Sequence, residues 1–268
     1  MSRRIDLRWA LDPVAFAREA LSFVPDPWQQ KALGTKARRC IWLCSRQVGK
    51  STTAAILGLH AAIYQPRALV LLASPSLRQS TELFRKVQSL MAMMDRPPPL
   101  REDTKTSCEL LTGSRIVCLP ASESTVRGYS GVSLLVEDES ARVPDAFHNA
   151  CKPMLAVSGG RHVLLSSAFG KRGHFYDCWD LERPGWERIF ITAAECPRIS
   201  QEFLDSELAE VGIWWFSQEY QNKFNDMLDS FFISETIENA FSDEVRPLFA
   251  DMGFSSFLAK QQKEGQDV

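Results

Sequence analysis

The chain has 268 residues, 45% hydrophobic and 24% charged, with 31 Lys and Arg against 33 Asp and Glu. That length suits one large domain with at most a small appendage, and the composition excludes a disordered, collagen-like or disulfide-dense chain. No apolar run approaches the ~18 residues of a membrane span, no signal peptide opens the chain, and seven cysteines without a C-x-x-C pair fit reduced thiols in a cytoplasm. The net charge of −2 hides an asymmetry. Residues 1–50 hold ten Lys and Arg against four Asp and Glu, and residues 226–268 hold three against nine. A basic front and an acidic tail are compatible with a partner that meets phosphates at one end, and equally with ordinary solvated surface.

In chain order, residues 39–44 (Arg-Cys-Ile-Trp-Leu-Cys) read as a buried strand, and the Ala- and Leu-rich residues 50–64 as a helix. Residues 67–73 form a second strand and 77–94 a second helix, stopped by Pro97-Pro98-Pro99. Residues 108–119 carry apolar runs either side of a Gly turn, the pattern of a hairpin. Two further apolar strands follow at 132–136 and 162–166, with a helix starting at Pro144 between them. Strands apolar on both faces and separated by helices predict an α/β domain with a mostly parallel sheet flanked by helices. This core spans residues 25–197, after an N-terminal helical arm (1–24). A helical linker subdomain and an acidic, fraying tail (198–268) follow it.

The first strand runs into Ser45-Arg46-Gln47-Val48-Gly49-Lys50-Ser51-Thr52, which opens the first long helix. A phosphate-binding loop asks for G-x-x-x-x-G-K-[ST]. Gly49, Lys50 and Ser51 match, and Cys44 stands where the first glycine belongs. The binding physics survives that change: backbone N–H groups and the helix N-terminus face the phosphates, Lys50 supplies a point charge, and the Ser51 hydroxyl can ligate Mg²⁺. The alternative is a polar helix start with Lys50 in solvent. Hydrolysis also needs a metal ligand and a group that orients water. The apolar strand at 132–136 ends in Glu137-Asp138-Glu139, where Asp138 would hold Mg²⁺ and Glu139 would polarise the attacking water. Glu137 should point away from the nucleotide.

These segments, with Ser166-Ser167-Ala168-Phe-Gly-Lys-Arg-Gly-His-Phe-Tyr-Asp-Cys-Trp179, Pro27-Trp28-Gln29 and Gln218-Glu-Tyr220, resemble the ATPase half of the large terminase subunit of tailed bacteriophages over roughly residues 22–230. The resemblance implies a P-loop NTPase of the ASCE, RecA- or helicase-like type that binds ATP and Mg²⁺ and drives double-stranded DNA into a procapsid. Its implied partners are DNA, the portal protein, the small terminase subunit and its own copies in a ring on the capsid, in the host bacterial cytoplasm and without a membrane. It also implies residue roles. Trp28 and Gln29 match an adenine-recognition element, and Arg46 an arginine that reaches the γ-phosphate. Ser166, Ser167 and Ala168 match the coupling motif, and Arg127 an arginine finger completing a neighbour's site. Phosphate contacts to DNA would come from the basic residues of 36–39 and from Arg101, Lys105, Lys171 and Arg172.

Large terminases usually add a C-terminal nuclease domain with clustered carboxylates. The last forty residues, despite Asp243, Glu244 and Asp251, are too few to build one, so nuclease activity is not expected. The rival readings are another P-loop ring ATPase or helicase, and a nucleotide- or DNA-binding prophage remnant without turnover.

Overall fold

The computed structural model describes residues 7–180 and 183–226. The expectations for residues 1–6 and for the tail from 227 onward lie outside those residues. Three short helices lead in: α1 (Leu7–Leu11), α2 (Pro13–Ala20) and α3 (Pro27–Gly34). Both α2 and α3 place Pro at the first helical position behind an Asp cap, where proline's missing N–H is harmless and its φ is already helical. Then come β1 (Arg39–Cys44), α4 (Lys50–Tyr64), β2 (Leu69–Ser74) and α5 (Leu77–Ala92). They are followed by β3 (Leu100–Asp103), β4 (Ser107–Leu110), β5 (Arg115–Pro120) and the one-turn α6 (Glu123–Val126). The chain continues through β6 (Leu134–Asp138), α7 (Asp145–Ser158), β7 (Arg161–Ser166), α8 (Gly173–Asp180), β8 (Glu187–Ile191) and α9 (Gln201–Glu219).

Among the described residues the strands form one sheet, ordered β3-β4-β5-β2-β6-β7-β1-β8. Pairing is parallel from β5 across to β8 and antiparallel where β3 and β4 extend the sheet. The predicted hairpin is present as β4 and β5. The edge strands β3 and β8 were not expected, because their sequences (Leu-Arg-Glu-Asp and Glu-Arg-Ile-Phe-Ile) are half polar and carry no buried run.

Alternation along the central strands sends side chains to two separate cores. Trp42, Val70, Leu72, Val136 and Val163 pack with α4, α5 and the N-terminal helices on one face. Leu71 and Leu135 pack with Phe147 of α7 on the other, where Ile41, Leu43 and Leu164 continue the layer against Phe175 of α8. Phe16 of α2 is fully buried and meets His60 and Tyr64 of α4 edge-on, fixing the N-terminal arm to the first face. The helix expected over 201–222 ends at Glu219 and is broken at Gly212, whose φ of 76° and ψ of 163° are not helical. After it, the chain returns to the sheet: Asn222 donates to the Ile191 carbonyl at 2.8 Å, and Ala193 N–H donates to Tyr220 O at 3.0 Å.

Candidate functional site

The parallel strands all end on one edge of the sheet, the edge where open α/β sheets bind ligands. There β1 passes through Ser45–Val48 into α4. Gln47 and Gly49 take left-handed backbone conformations (φ 62° and 92°), so the turn curls tightly into α4, while the Ser45 and Arg46 N–H groups are held by the Ile191 and Glu219 carbonyls, both at 3.1 Å. Gly49 could not be replaced, since a Cβ there would lie 2.8 Å from Gln29 Nε2 on a backbone already unsuited to L-residues. Val48 is fully buried, and its carbonyl accepts from Arg198 Nη2 at 3.0 Å. Arg198 is in turn paired with Asp26 at 2.7 Å. Thr53 donates to the Gly49 carbonyl at 3.1 Å and receives Gln29 Nε2 at 3.0 Å.

Lys50 is buried and lies 3.1 Å from Glu139 Oε1. Burial works against its charge, but Glu139 and then Asp138 outweigh that cost and hold the ammonium above its ordinary pKa. Ser51 Oγ lies 3.3 Å from Asp138 Oδ2. Burial, followed by the charge of Glu139, pushes Asp138 up to about 6, with Lys50 pulling the other way. A hydroxyl and an electrostatically uncomfortable carboxylate side by side form a hard-oxygen donor pair that suits Mg²⁺, which commonly takes one or two protein oxygens alongside water and phosphate.

Glu139 sits just past the strand end with φ 53° and ψ 41°, a left-handed conformation rare outside glycine. That turn carries its carboxylate across to Lys50, while Glu137 goes to the opposite face of the sheet and is fully buried, as its place in the sequence predicted. Glu139 Oε2 accepts from Arg142 Nη1 at 3.1 Å, and Arg142 Nη2 donates to Glu219 Oε1 at 3.1 Å. Glu219 Oε2 accepts from Ser167 Oγ at 3.0 Å. The Arg142 guanidinium also lies 4.3 Å from the Phe169 ring centre. A continuous polar chain therefore runs Lys50, Glu139, Arg142, Glu219, Ser167.

The predicted residues thus divide. Lys50, Ser51, Asp138, Glu139 and Ser167 converge, and Ser166 and Ala168 are buried beside them at the end of β7. Trp28 is buried in the core, edge-on to Trp42 at 6.4 Å, and its neighbour's amide is committed at both ends: Gln29 Oε1 accepts from Asp26 N–H at 2.8 Å and its Nε2 serves Thr53. The pair braces the loop from behind. Arg46 and Gln47 are exposed, and Arg127 is exposed at the end of α6, ion-paired with Glu123. Arg142 and Arg198 were not singled out from sequence, and Glu219 stood in the Gln218-Glu-Tyr220 segment without a role of its own. Only Arg142 carried a local signal, its three-residue spacing from Glu139.

No protein-family model and no curated protein matches the sequence. The structure does find relatives. The ATPase domain of the large terminase of Thermus phage P74-26 superposes with a TM-score of 0.67 at 18% identity, over 84% of this chain and all of that one. The fold is that of a phage large-terminase ATPase domain. The large terminase of the thermophilic bacteriophage D6E matches at a TM-score of 0.59 and 10% identity, and that of bacteriophage HK97 at 0.59 and 16%. This chain spans about half of each of those two proteins, 52% and 47% of their lengths. The D6E terminase has also been solved with ADP and with ATP-gamma-S. This chain's mixed, mostly parallel sheet flanked by helices is the fold it shares with those domains.

Proposed function

We propose that this chain is an ATP-hydrolysing motor domain that moves double-stranded DNA into a procapsid. The observation that carries the reading is the Lys50–Glu139 ion pair beside Ser51 and Asp138, set on a terminase-type sheet. Lys50 has Glu139 as its ion-pair partner and would gain phosphate oxygens from a nucleotide. Nucleotide phosphates would compete for Lys50 and release Glu139 Oε1 to orient water, while Arg142 keeps the other oxygen in place. Ser51 and Asp138 would hold Mg²⁺, whose chemistry is to neutralise charge on the β- and γ-phosphates. Arg142, Glu219 and Ser167 then connect the state of Glu139 to the coupling segment at the end of β7. Arg46, exposed on the loop, would reach the γ-phosphate, and Arg127 a neighbouring subunit's nucleotide.

The D6E complexes with ADP and ATP-gamma-S support a nucleotide as the ligand. Double-stranded DNA, the portal, the small terminase subunit and a homo-oligomeric ring on the capsid, in the host cytoplasm, complete the proposal, with residues from 198 onward as linker. No helix among the described residues is long and apolar enough to cross a membrane.

The test is Mg²⁺-dependent phosphate release from ATP, with and without linear duplex DNA. Wild type should turn over. Lys50→Ala should lose nucleotide affinity, and Glu139→Gln should keep affinity while turnover falls by about 10²-fold or more, the usual weight of a positioned proton acceptor. A wild-type chain that binds but never hydrolyses ATP, or one that unwinds forked duplex, would sink the reading.

A further inference from the structure

The chain has four histidines, and three of them converge on one carboxylate. Glu137 of β6 is fully buried on the sheet face opposite Lys50, and His148 of α7, His162 of β7 and His174 of α8 surround it, each no more than 5% exposed. His162 Nε2 lies 2.6 Å and His148 Nδ1 3.2 Å from Glu137 Oε1. His174 Nε2 lies 3.2 Å from Glu137 Oε2 and 3.0 Å from Ser140 Oγ. The rings are stacked, His148 on His174 with centres 4.1 Å apart and His148 on His162 at 5.2 Å. Trp186 covers the group, 5.5 Å from His162.

The second nitrogen of His174 makes this more than a hydrogen-bonded cluster. Its Nδ1 faces Asp145 Oδ1 at 2.9 Å, and the same oxygen accepts the His174 backbone N–H at 2.7 Å. A carboxylate there fixes the proton on Nδ1, so in the neutral ring the inward Nε2 presents a lone pair toward Glu137. Ser140 Oγ, 3.0 Å from that nitrogen and 3.3 Å from Glu137 Oε2, has one proton for two acceptors, so Nε2 and the carboxylate oxygen still face each other at 3.2 Å with no donor of their own unless positive charge lies between them. A proton could supply it, but a buried imidazolium would then be stacked directly on the second ring of a tightly packed three-ring array.

A metal ion answers the same need with better geometry. A ring nitrogen from His148, a ring nitrogen from His162 and a Glu137 oxygen all lie within 4.8 Å of one another. A tetrahedral ion with bonds of about 2.0–2.2 Å wants its donors about 3.4 Å apart, within small side-chain rotations of what is seen. Imidazole donors select Zn²⁺-like ions over Mg²⁺. The carboxylate–histidine contact of Asp145 is the arrangement that orients metal-bound imidazoles.

We propose that Glu137, His148 and His162 hold one Zn²⁺ ion, with His174 turned in from its stack on His148 as the fourth donor, as a closed structural clasp on the back of β6. The clasp ties α7, β7 and α8 to the strand whose other face carries Asp138. It is independent of the nucleotide reading: the ion is held whether or not ATP is hydrolysed.

The experiment uses the full chain, stripped with a chelator, dialysed, and titrated with Zn²⁺ alone and with Co²⁺ alone in excess Mg²⁺. One equivalent of Zn²⁺ should be retained, and Co²⁺ should give the visible spectrum of a tetrahedral nitrogen–oxygen site without a thiolate charge-transfer band. His162→Gln and His148→Gln should each abolish retention. Asp145→Asn, at a largely exposed side chain whose amide oxygen can still accept the His174 backbone N–H, should weaken Zn²⁺ about 10- to 100-fold. Binding far below one equivalent overturns the clasp and leaves a proton-filled cluster in its place. One equivalent that survives all three substitutions, or that shows the thiolate band, overturns it in favour of the cysteines.

Discussion

Arg142 stands between two glutamates, and that position gives it a measurable role. Its planar guanidinium serves Glu139 with one nitrogen and Glu219 with another, a division that a lysine ammonium on a flexible stem cannot reproduce. Arg142→Met should therefore leave nucleotide affinity near wild type and lower kcat by at least about tenfold, or about 1.4 kcal/mol of barrier. Arg142→Lys should not restore it. Unchanged kcat in the Met variant, measured beside fluorescent-nucleotide binding, would remove Arg142 from the chain of contacts. This residue also marks where sequence stops being informative. That Lys50, Ser51, Asp138 and Glu139 would lie together was legible because each sits at a strand end or helix start on the same edge of a parallel sheet. Glu219 reaches the same site from far along the chain, and the histidines around Glu137 come from three separate elements. The segments holding Glu219 and His174 carried the family resemblance, but nothing local says what these side chains meet, because tertiary closure alone brings them together.

At the scale of elements, β1, β2, β6 and β7 were readable because central parallel strands are buried on both faces and must be apolar throughout. The strands at the sheet's two ends lack that signature, and α9 hides its break because Gly212 is one residue in a run of otherwise good helix formers. The docking of the N-terminal arm on α4 adds a pH-dependent contact. His60 Nε2 lies 2.8 Å from the Trp9 carbonyl, so it carries the proton, and the ring packs on Phe16. Burial lowers its pKa, the Trp9 carbonyl opposes that, and among nearby charges Lys36 and Arg161 push down while Asp12 pushes up. A histidine whose folded pKa is lowered stabilises the fold fully above its unfolded value of about 6.5, and the contribution fades as pH drops below that. The Tm of wild type should fall more steeply than that of His60→Gln between pH 7.5 and 5.5. Parallel slopes would show that another group governs the acid response.

For the molecule as a whole, the contacts from Lys50 to Ser167 lie within one chain, whereas Arg127 is exposed at the end of α6 with Glu123 as its partner. An arginine so placed acts on a nucleotide only if a second subunit brings one to it. The specific ATPase rate should accordingly climb with protein concentration, and Arg127→Ala should flatten that curve without lowering the rate in dilute solution. A curve that climbs equally in both proteins would exclude Arg127 as the group that crosses the interface. The division of the chain's charge into a basic front and an acidic end was visible in composition. The geometry by which copies would meet was not, because a heterologous contact between identical chains leaves no periodic mark on their sequence.

Strand β6 works as a partition. Two adjacent carboxylates on it face opposite compartments: Asp138 looks toward the phosphate loop, and Glu137 toward three imidazoles. Because side chains alternate with a period of two, a single-residue insertion or deletion in this strand ahead of Glu137 would exchange the two acids. Each compartment would then receive a carboxylate of the wrong length, and both would fail together. Length variation among natural or engineered variants should therefore be absent from β6, however freely the loops on either side of it change.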